Sequence, residues 1–140
     1  MPTLPPFARS FVAVMSGMVV AVTIVSLSDL VAGLFHTLPA GFDVGDIARV
    51  RSHAAAAPLS AMLIVLAGWI LASFAGGLVA SRVAARSRGQ YAWVIAGVLL
   101  AATIANLRAL PHPAWMVAGA LIGVPAAGWL AARLAPRDGV

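Results

Sequence analysis

Residues 10–35 read SFVAVMSGMVVAVTIVSLSDLVAGLF, and this stretch decides the kind of fold. Its one acidic or basic side chain is Asp29, towards the C-terminal end. As an α-helix the stretch would extend ~39 Å, more than the ~30 Å hydrocarbon core of a bilayer. Arg9 precedes it, which gives it the outline of a secretory signal, but the apolar region of a signal holds only about 7–15 residues. No small-x-small cleavage site follows. The stretch therefore reads as a spanning helix that is retained.

The rest of the chain agrees. Of 140 residues, 62% are hydrophobic and 9% charged, whereas a soluble domain carries roughly 45–50% apolar and about 25% charged residues. Such a chain has too few charges to coat a water-exposed surface, and it is too apolar to be disordered. Three further apolar runs pass the length test at about 59–81, 91–107 and 114–132. Pro58 stands just before the second, where a proline suits a first helical turn. Tyr91 and Trp93 open the third, and Trp115 and Trp129 lie near the two ends of the fourth, as interfacial aromatics do. These features predict an all-α integral membrane protein: one domain over residues 1–140, an antiparallel four-helix bundle, with the lipid bilayer as its solvent.

The formal net charge of +5 comes from nine arginines and four aspartates, with no Lys and no Glu. The arginines stand between apolar runs and are not gathered with aromatics on one face, so nucleic acid is not an expected partner. The chain has no cysteine, which removes disulfides, thiol redox chemistry and cysteine metal sites. Its Ala, Gly, Arg and Pro content points to a GC-rich bacterial genome, hence to a bacterial inner membrane. A cytoplasmic N-terminus would put Arg9, Arg82, Arg86, Arg88, Arg133 and Arg137 inside. Only Arg49, Arg51 and Arg108 would lie outside, with Asp43 and Asp46 offsetting two of them. The excess of inner arginine predicts both termini in the cytoplasm.

One connection, from His36 to Ala57, is longer than a turn. Asp46 can cap a short amphipathic helix there, with Ile47 and Val50 on one side, lying on the outer surface. His53, in the same segment, reads as a solvated loop residue. Within the spans, small residues recur at four-residue intervals. The second carries Gly68, Ala72, Gly76 and Ala80, with Ser73, Gly77 and Ser81 one step round. The fourth carries Gly119, Gly123 and Ala127, the first Ala13, Gly17 and Ala21, and the third Gly97, Ala101 and Ala105. Membrane helices approach closely through such ridges. The double ridge at Gly76 and Gly77 is the candidate for a tight contact, either within the chain or with a second copy or a larger membrane complex.

The polar residues collect at one end of the predicted bundle. Asp29 and His36 share a helical face about 10 Å apart along the axis, and Ser26 continues that stripe. Antiparallel threading brings Asn106, Arg108 and the turn Leu110-Pro-His112-Pro-Ala-Trp115 to the same end. The prolines flanking His112 hold its backbone extended and so fix where the imidazole is presented. A buried charge costs roughly 2.5–3.5 kcal/mol at the bilayer centre on insertion scales, and less near an interface. Asp29 should therefore either pair with Arg108 or helix-end donors, or serve protons or ions together with His36 and His112. A metal site is left undecided, since no HxxxH, HxH or acidic cluster occurs. No phosphate loop, nucleophile elbow or other catalytic set is present, and no cofactor is implied.

Asp29, His36, Pro39 and the run Asn106-Leu-Arg-Ala-Leu-Pro-His-Pro-Ala-Trp115 resemble a group of small bacterial four-helix membrane proteins with a Pro-His-Pro-x-Trp turn. The resemblance implies the architecture and no activity; this chain has Asp where that group has Glu. Taken together, the sequence favours a structural or accessory subunit that packs through its Ala/Gly ridges. The alternative is a small transporter or sensor that handles protons, ions or a metal through the Asp/His cluster.

The topology yields a direct test in the cysteine-free background. Ser87→Cys should react with an impermeant maleimide only from the cytoplasmic side, and Ser52→Cys only from the outside. Labelling of Ser87→Cys from outside would overturn the orientation.

Overall fold

In the computed structural model, residues 5–84 and 88–135 are described. Arg86, Ser87 and Arg137 lie outside the described residues. Among the described residues the structure is all-helical: α1 (Pro6–Phe35), α2 (Ile47–Ala55), α3 (Leu59–Val83), α4 (Arg88–Ala109) and α5 (Ala114–Leu134). α1, α3, α4 and α5 are long and apolar enough to cross a membrane, and α2 is the short helix of the long connection. The chain is a multi-pass membrane protein.

Local chemistry sets the helix ends. Pro6 occupies the first turn of α1, where its missing N–H costs nothing, and Pro58 and Pro113 precede α3 and α5 as N-caps. The Asp46 carboxylate accepts from the backbone N–H groups of Ala48 and Arg49, capping α2 as its position predicts. Arginine side chains serve two C-termini: Arg9 Nε donates to the Val83 carbonyl, and Arg51 Nε to the Ala109 carbonyl. Each satisfies a carbonyl that the helix cannot, at the negative end of its dipole.

α3 is the central element, packed against α1, α4 and α5. α4 packs on α5 as well, whereas α1 touches α4 only slightly. The contact of α1 with α3 is made by backbone. A Cβ on Gly17 would fall 2.6 Å from the Gly76 carbonyl oxygen, and a Cβ on Gly76 would fall 2.7 Å from the Gly17 carbonyl oxygen. Ala13, Ala21, Ala72 and Ala80 are fully buried along the same seam. Ile95 of α4 closes the crossing, within 3.2 Å of the Cβ position at either glycine. The second ridge of α3 faces the other way: a Cβ on Gly77 would meet Ala92 of α4 and Ala131 of α5. Gly68 lies against Ser28 of α1, Gly119 against Leu66 and Gly123 against Ile70, both of α3. Gly128 of α5 is closed by Ala96. The ridge at Gly76 and Gly77 is thus consumed inside the chain, and neither glycine is free to form a seam with a second copy.

One polar bond sits in the dry core. Ser73 Oγ, fully buried, donates to the Val124 carbonyl at 2.8 Å. It ties α3 to α5 beside Pro125, which lacks the N–H that would serve the Leu121 carbonyl. Interhelical bonds of this sort contribute about 0.6–2 kcal/mol.

The packing predicts unequal tolerance of a single methyl group. Gly17→Ala should lower the melting temperature, because the Cβ meets backbone that cannot turn aside, at a cost of about 1–3 kcal/mol. Gly97→Ala, with nothing within 4 Å of its Cβ, should melt at the parent temperature or above. Thermal unfolding in detergent distinguishes the two, and equal melting would contradict the crossing.

Candidate functional site

Antiparallel threading brings the end of α1, the α2 connection, the start of α3 and the α4–α5 turn to one end of the bundle. At the opposite end Ser10 Oγ lies 2.6 Å from the Tyr91 hydroxyl, which joins α1 to α4. Beyond Ile95 a cavity of about 530 Å³ opens along the seam of α1 and α4. Its inner part is apolar, with Met18 and Val22 of α1 and Val98 and Leu99 of α4. Its outer part is polar, with Ser26, Asp29, Thr103, Asn106 and His112. Trp69 and Val65 of α3 form the floor.

A second cavity of about 230 Å³ adjoins it and shares Asp29, Val65 and His112. It continues past Gly33 and His36 to Ala54 and Ala57 of the long connection. Asp29 stands between the two spaces. It is open to them, and among the described residues it has no ion-pair or hydrogen-bond partner; the one ion pair there joins Arg49 to Asp46 at 3.2 Å. α1 is 30 residues long, or ~45 Å, against a ~30 Å hydrocarbon core. Six residues from its end, Asp29 lies about 9 Å below the helix terminus, near the boundary between acyl chains and headgroups.

The connection between α1 and α3 is folded onto this end. Phe42 N–H donates to the Pro39 carbonyl, closing a turn in which Gly41 adopts φ +72°, a backbone state that favours glycine. The turn brings Phe42 to within 5.2 Å of the His53 ring. The His36 and His53 rings stack with centroids 3.8 Å apart, and His36 Nε2 lies 2.8 Å from the His53 carbonyl oxygen. Since a carbonyl only accepts, Nε2 carries the proton and Nδ1 is the free acceptor of neutral His36. His112 is held in the complementary way. Its Nδ1 donates to the Leu110 carbonyl at 2.8 Å, leaving Nε2 as acceptor, and its ring tilts against Trp69 at 6.2 Å.

Of the residues singled out from sequence, Asp29, Ser26, Asn106 and His112 come together in the larger cavity, and His36 joins Asp29 and His112 in the smaller. Arg108 does not. It lies in a separate recess with Arg51 and the outer side of the Pro111-His112 turn, so the expected Asp29–Arg108 pair does not form. Arg108 is near the C-terminus of α4, and its exposed side chain is turned away from the α1 seam. His53 is not a solvated loop residue but half-buried between His36 and Phe42. Sequence reasoning passed over Trp69 and Thr103, which line the cavity. Their apolar surroundings carry no motif, and only the depth at which Gly68 seats against Ser28 brings Trp69 beneath Asp29. No group of three metal-ligating side chains converges among the described residues.

The His36–His53 contact predicts a local effect. His36→Ala removes a hydrogen bond and a stacked ring that together hold the connection down, worth about 1–1.5 kcal/mol. Amide exchange across Ile47–Ala55 should then accelerate about fivefold to tenfold, with the melting of the bundle unchanged. Unaltered exchange would show that the stack does not hold α2 in place.

Comparison with protein-family models, with curated proteins and with solved structures finds no match to this chain.

Proposed function

We propose that this membrane protein is a small carrier or sensor whose ligand site is the pair of cavities around Asp29. One observation carries the reading: an acidic side chain within a spanning helix, unpaired among the described residues, lines two adjoining cavities that join the bundle interior to one membrane boundary. Intramembrane carboxylates are costly and belong to ligand, ion or proton sites more often than to scaffolding. The larger space, about 530 Å³, falls in the 300–1,000 Å³ range of small-molecule pockets and has the expected apolar walls with few polar groups. His36 and His112, each with one ring nitrogen committed to a carbonyl and one free, could relay protons to and from the site. A bacterial inner membrane, with both termini cytoplasmic, is the location we propose from the arginine distribution.

An accessory-subunit role is the second reading. Its first motivation, the Gly76/Gly77 ridge, is spent within the chain. What supports it is a different surface, an apolar groove of about 690 Å³ between α3 and α5, bounded by Leu71, Phe74, Trp129 and Leu130. If a second copy occupied that groove, Leu130→Cys would cross-link between copies in native membranes.

The ligand-site reading is tested by thiol protection in reconstituted vesicles. Ala102→Cys places a reporter on the cavity wall, and Ile122→Cys places one on the lipid-facing side of α5. A panel of single-chain amphiphiles of each charge type should include at least one that slows alkylation of Ala102→Cys about threefold or more, as occupancy of about two-thirds or more would, and leaves Ile122→Cys unaffected. Equal effects at both positions, or none, would contradict a site.

A further inference from the structure

We infer that the Asp29 cavity binds a single-chain lipophilic ammonium ion, its head between Asp29 and His112 and its tail along the α1–α4 seam. The inference rests on the reading of this cavity as a ligand site and names the chemistry of the occupant.

The first argument is the electrostatic character of the polar end. Asp29 offers two carboxylate oxygens. His112, with Nδ1 committed to the Leu110 carbonyl, offers Nε2 as an acceptor. Trp69 lines the same space, and Trp is the best aromatic partner for an alkylammonium ion. Ser26 and Asn106 can turn an acceptor inward as readily as a donor. Among the described residues no arginine lines either cavity: Arg51 is engaged with Ala109, and Arg108 lies in the outer recess, which adjoins the larger cavity at Leu110 and His112. The lining of the polar end thus holds a carboxylate and several acceptors and, among the described residues, no cation. Asp29 is exposed near the boundary of acyl chains and headgroups, and a cationic head entering the cavity would give its carboxylate a charged partner. An anionic amphiphile would meet Asp29 as a like charge, and a neutral alcohol would leave that charge uncompensated.

The second argument is shape and depth. From Met18 to Asp29 the α1 wall runs ~16 Å, apolar at the inner end and polar at the outer. This is the polarity order of an amphiphile lying in its own leaflet. Asp29 sits at the depth where headgroups meet acyl chains, and Val22, Val98 and Ala102 are exposed on the membrane side. A guest therefore reaches the site laterally from the bilayer without crossing water. The volume suits one chain and a compact head.

The experiment uses the full chain in phosphatidylcholine vesicles with Ala102→Cys as reporter. Dodecylammonium, dodecyltrimethylammonium, dodecanol and dodecyl sulfate are compared at equal membrane mole fraction. Both ammonium probes should protect the thiol at about tenfold lower membrane content than dodecanol, the factor expected for a hydrogen bond or ion pair to a charged group, and dodecyl sulfate should not protect. Asp29→Asn should abolish the preference for the ammonium probes, and Asp29→Glu should retain it; both variants should melt as the parent does. If dodecanol protects as well as the ammonium probes, or Asp29→Asn keeps the preference, the cationic class is wrong while the cavity reading stands. If none of the four protects Ala102→Cys, both fall. Protection by dodecyltrimethylammonium alone also overturns the inference, because it would point to ring contacts without the carboxylate.

Discussion

The seating of α1 on α3 depends on two glycines that present backbone to each other. A side chain at either Gly17 or Gly76 would occupy the place of the other's carbonyl oxygen, so the helices meet as closely as their main chains allow. In a bilayer this closeness matters more than in water. Lipid chains compete for apolar surface on equal terms, and helix association draws on van der Waals packing between surfaces that fit. The crossing also positions α4. Ile95 fills the angle between the two glycines, and with Tyr91 bonded to Ser10 it holds α4 near α1 at one end only. From Val98 outward the seam between the two helices is lined as the Asp29 cavity. Close packing at one end and an open seam at the other are thus two consequences of one contact.

The polar residues follow the same division. Where the bundle is tight, polar groups are few and most are paired: Ser73 with the Val124 carbonyl, Ser10 with Tyr91, Arg9 with the end of α3, while the buried Ser81 hydroxyl has no partner. At the open end Asp29 faces space, and the histidines near it are held by carbonyls and not by the carboxylate. Arg51 and the His36–His53 stack fasten the long connection across that end, so Ala54 and Ala57 complete the wall of the smaller cavity. Groups that could have neutralised Asp29 are engaged elsewhere or turned outward.

Much of this was legible in the residues. Apolar runs of spanning length, prolines before helices and the Asp46 cap follow from local physics, and the structure has each of them. Antiparallel threading of four spans was enough to bring His112 to the end of the bundle that holds Asp29. What sequence did not reveal was which face of each helix turns inward. Small-residue stripes occur on every span, and their spacing does not name a partner. The ridge at Gly76 therefore read equally as an internal contact or a seam between copies. Which of the alternatives holds for Asp29 was open for a related reason. Arg108 has the right charge and the right end, but its position around α4 directs it away from the seam, and the helical phase of α4 is set by Ile95 meeting the glycines. Trp69 went unnoticed because an aromatic in an apolar span carries no signal until the depth of the neighbouring contact is known.

The contact of Gly17 with Gly76 can be observed without altering the chain. Carbon–carbon correlation by magic-angle-spinning NMR, on glycine-labelled protein in bilayers, reports which glycine carbons are near neighbours. The account predicts a cross-peak between the Gly17 carbonyl carbon and the Gly76 α-carbon at short mixing time. Absence of that cross-peak, with Gly17 correlating with lipid acyl chains instead, would contradict it.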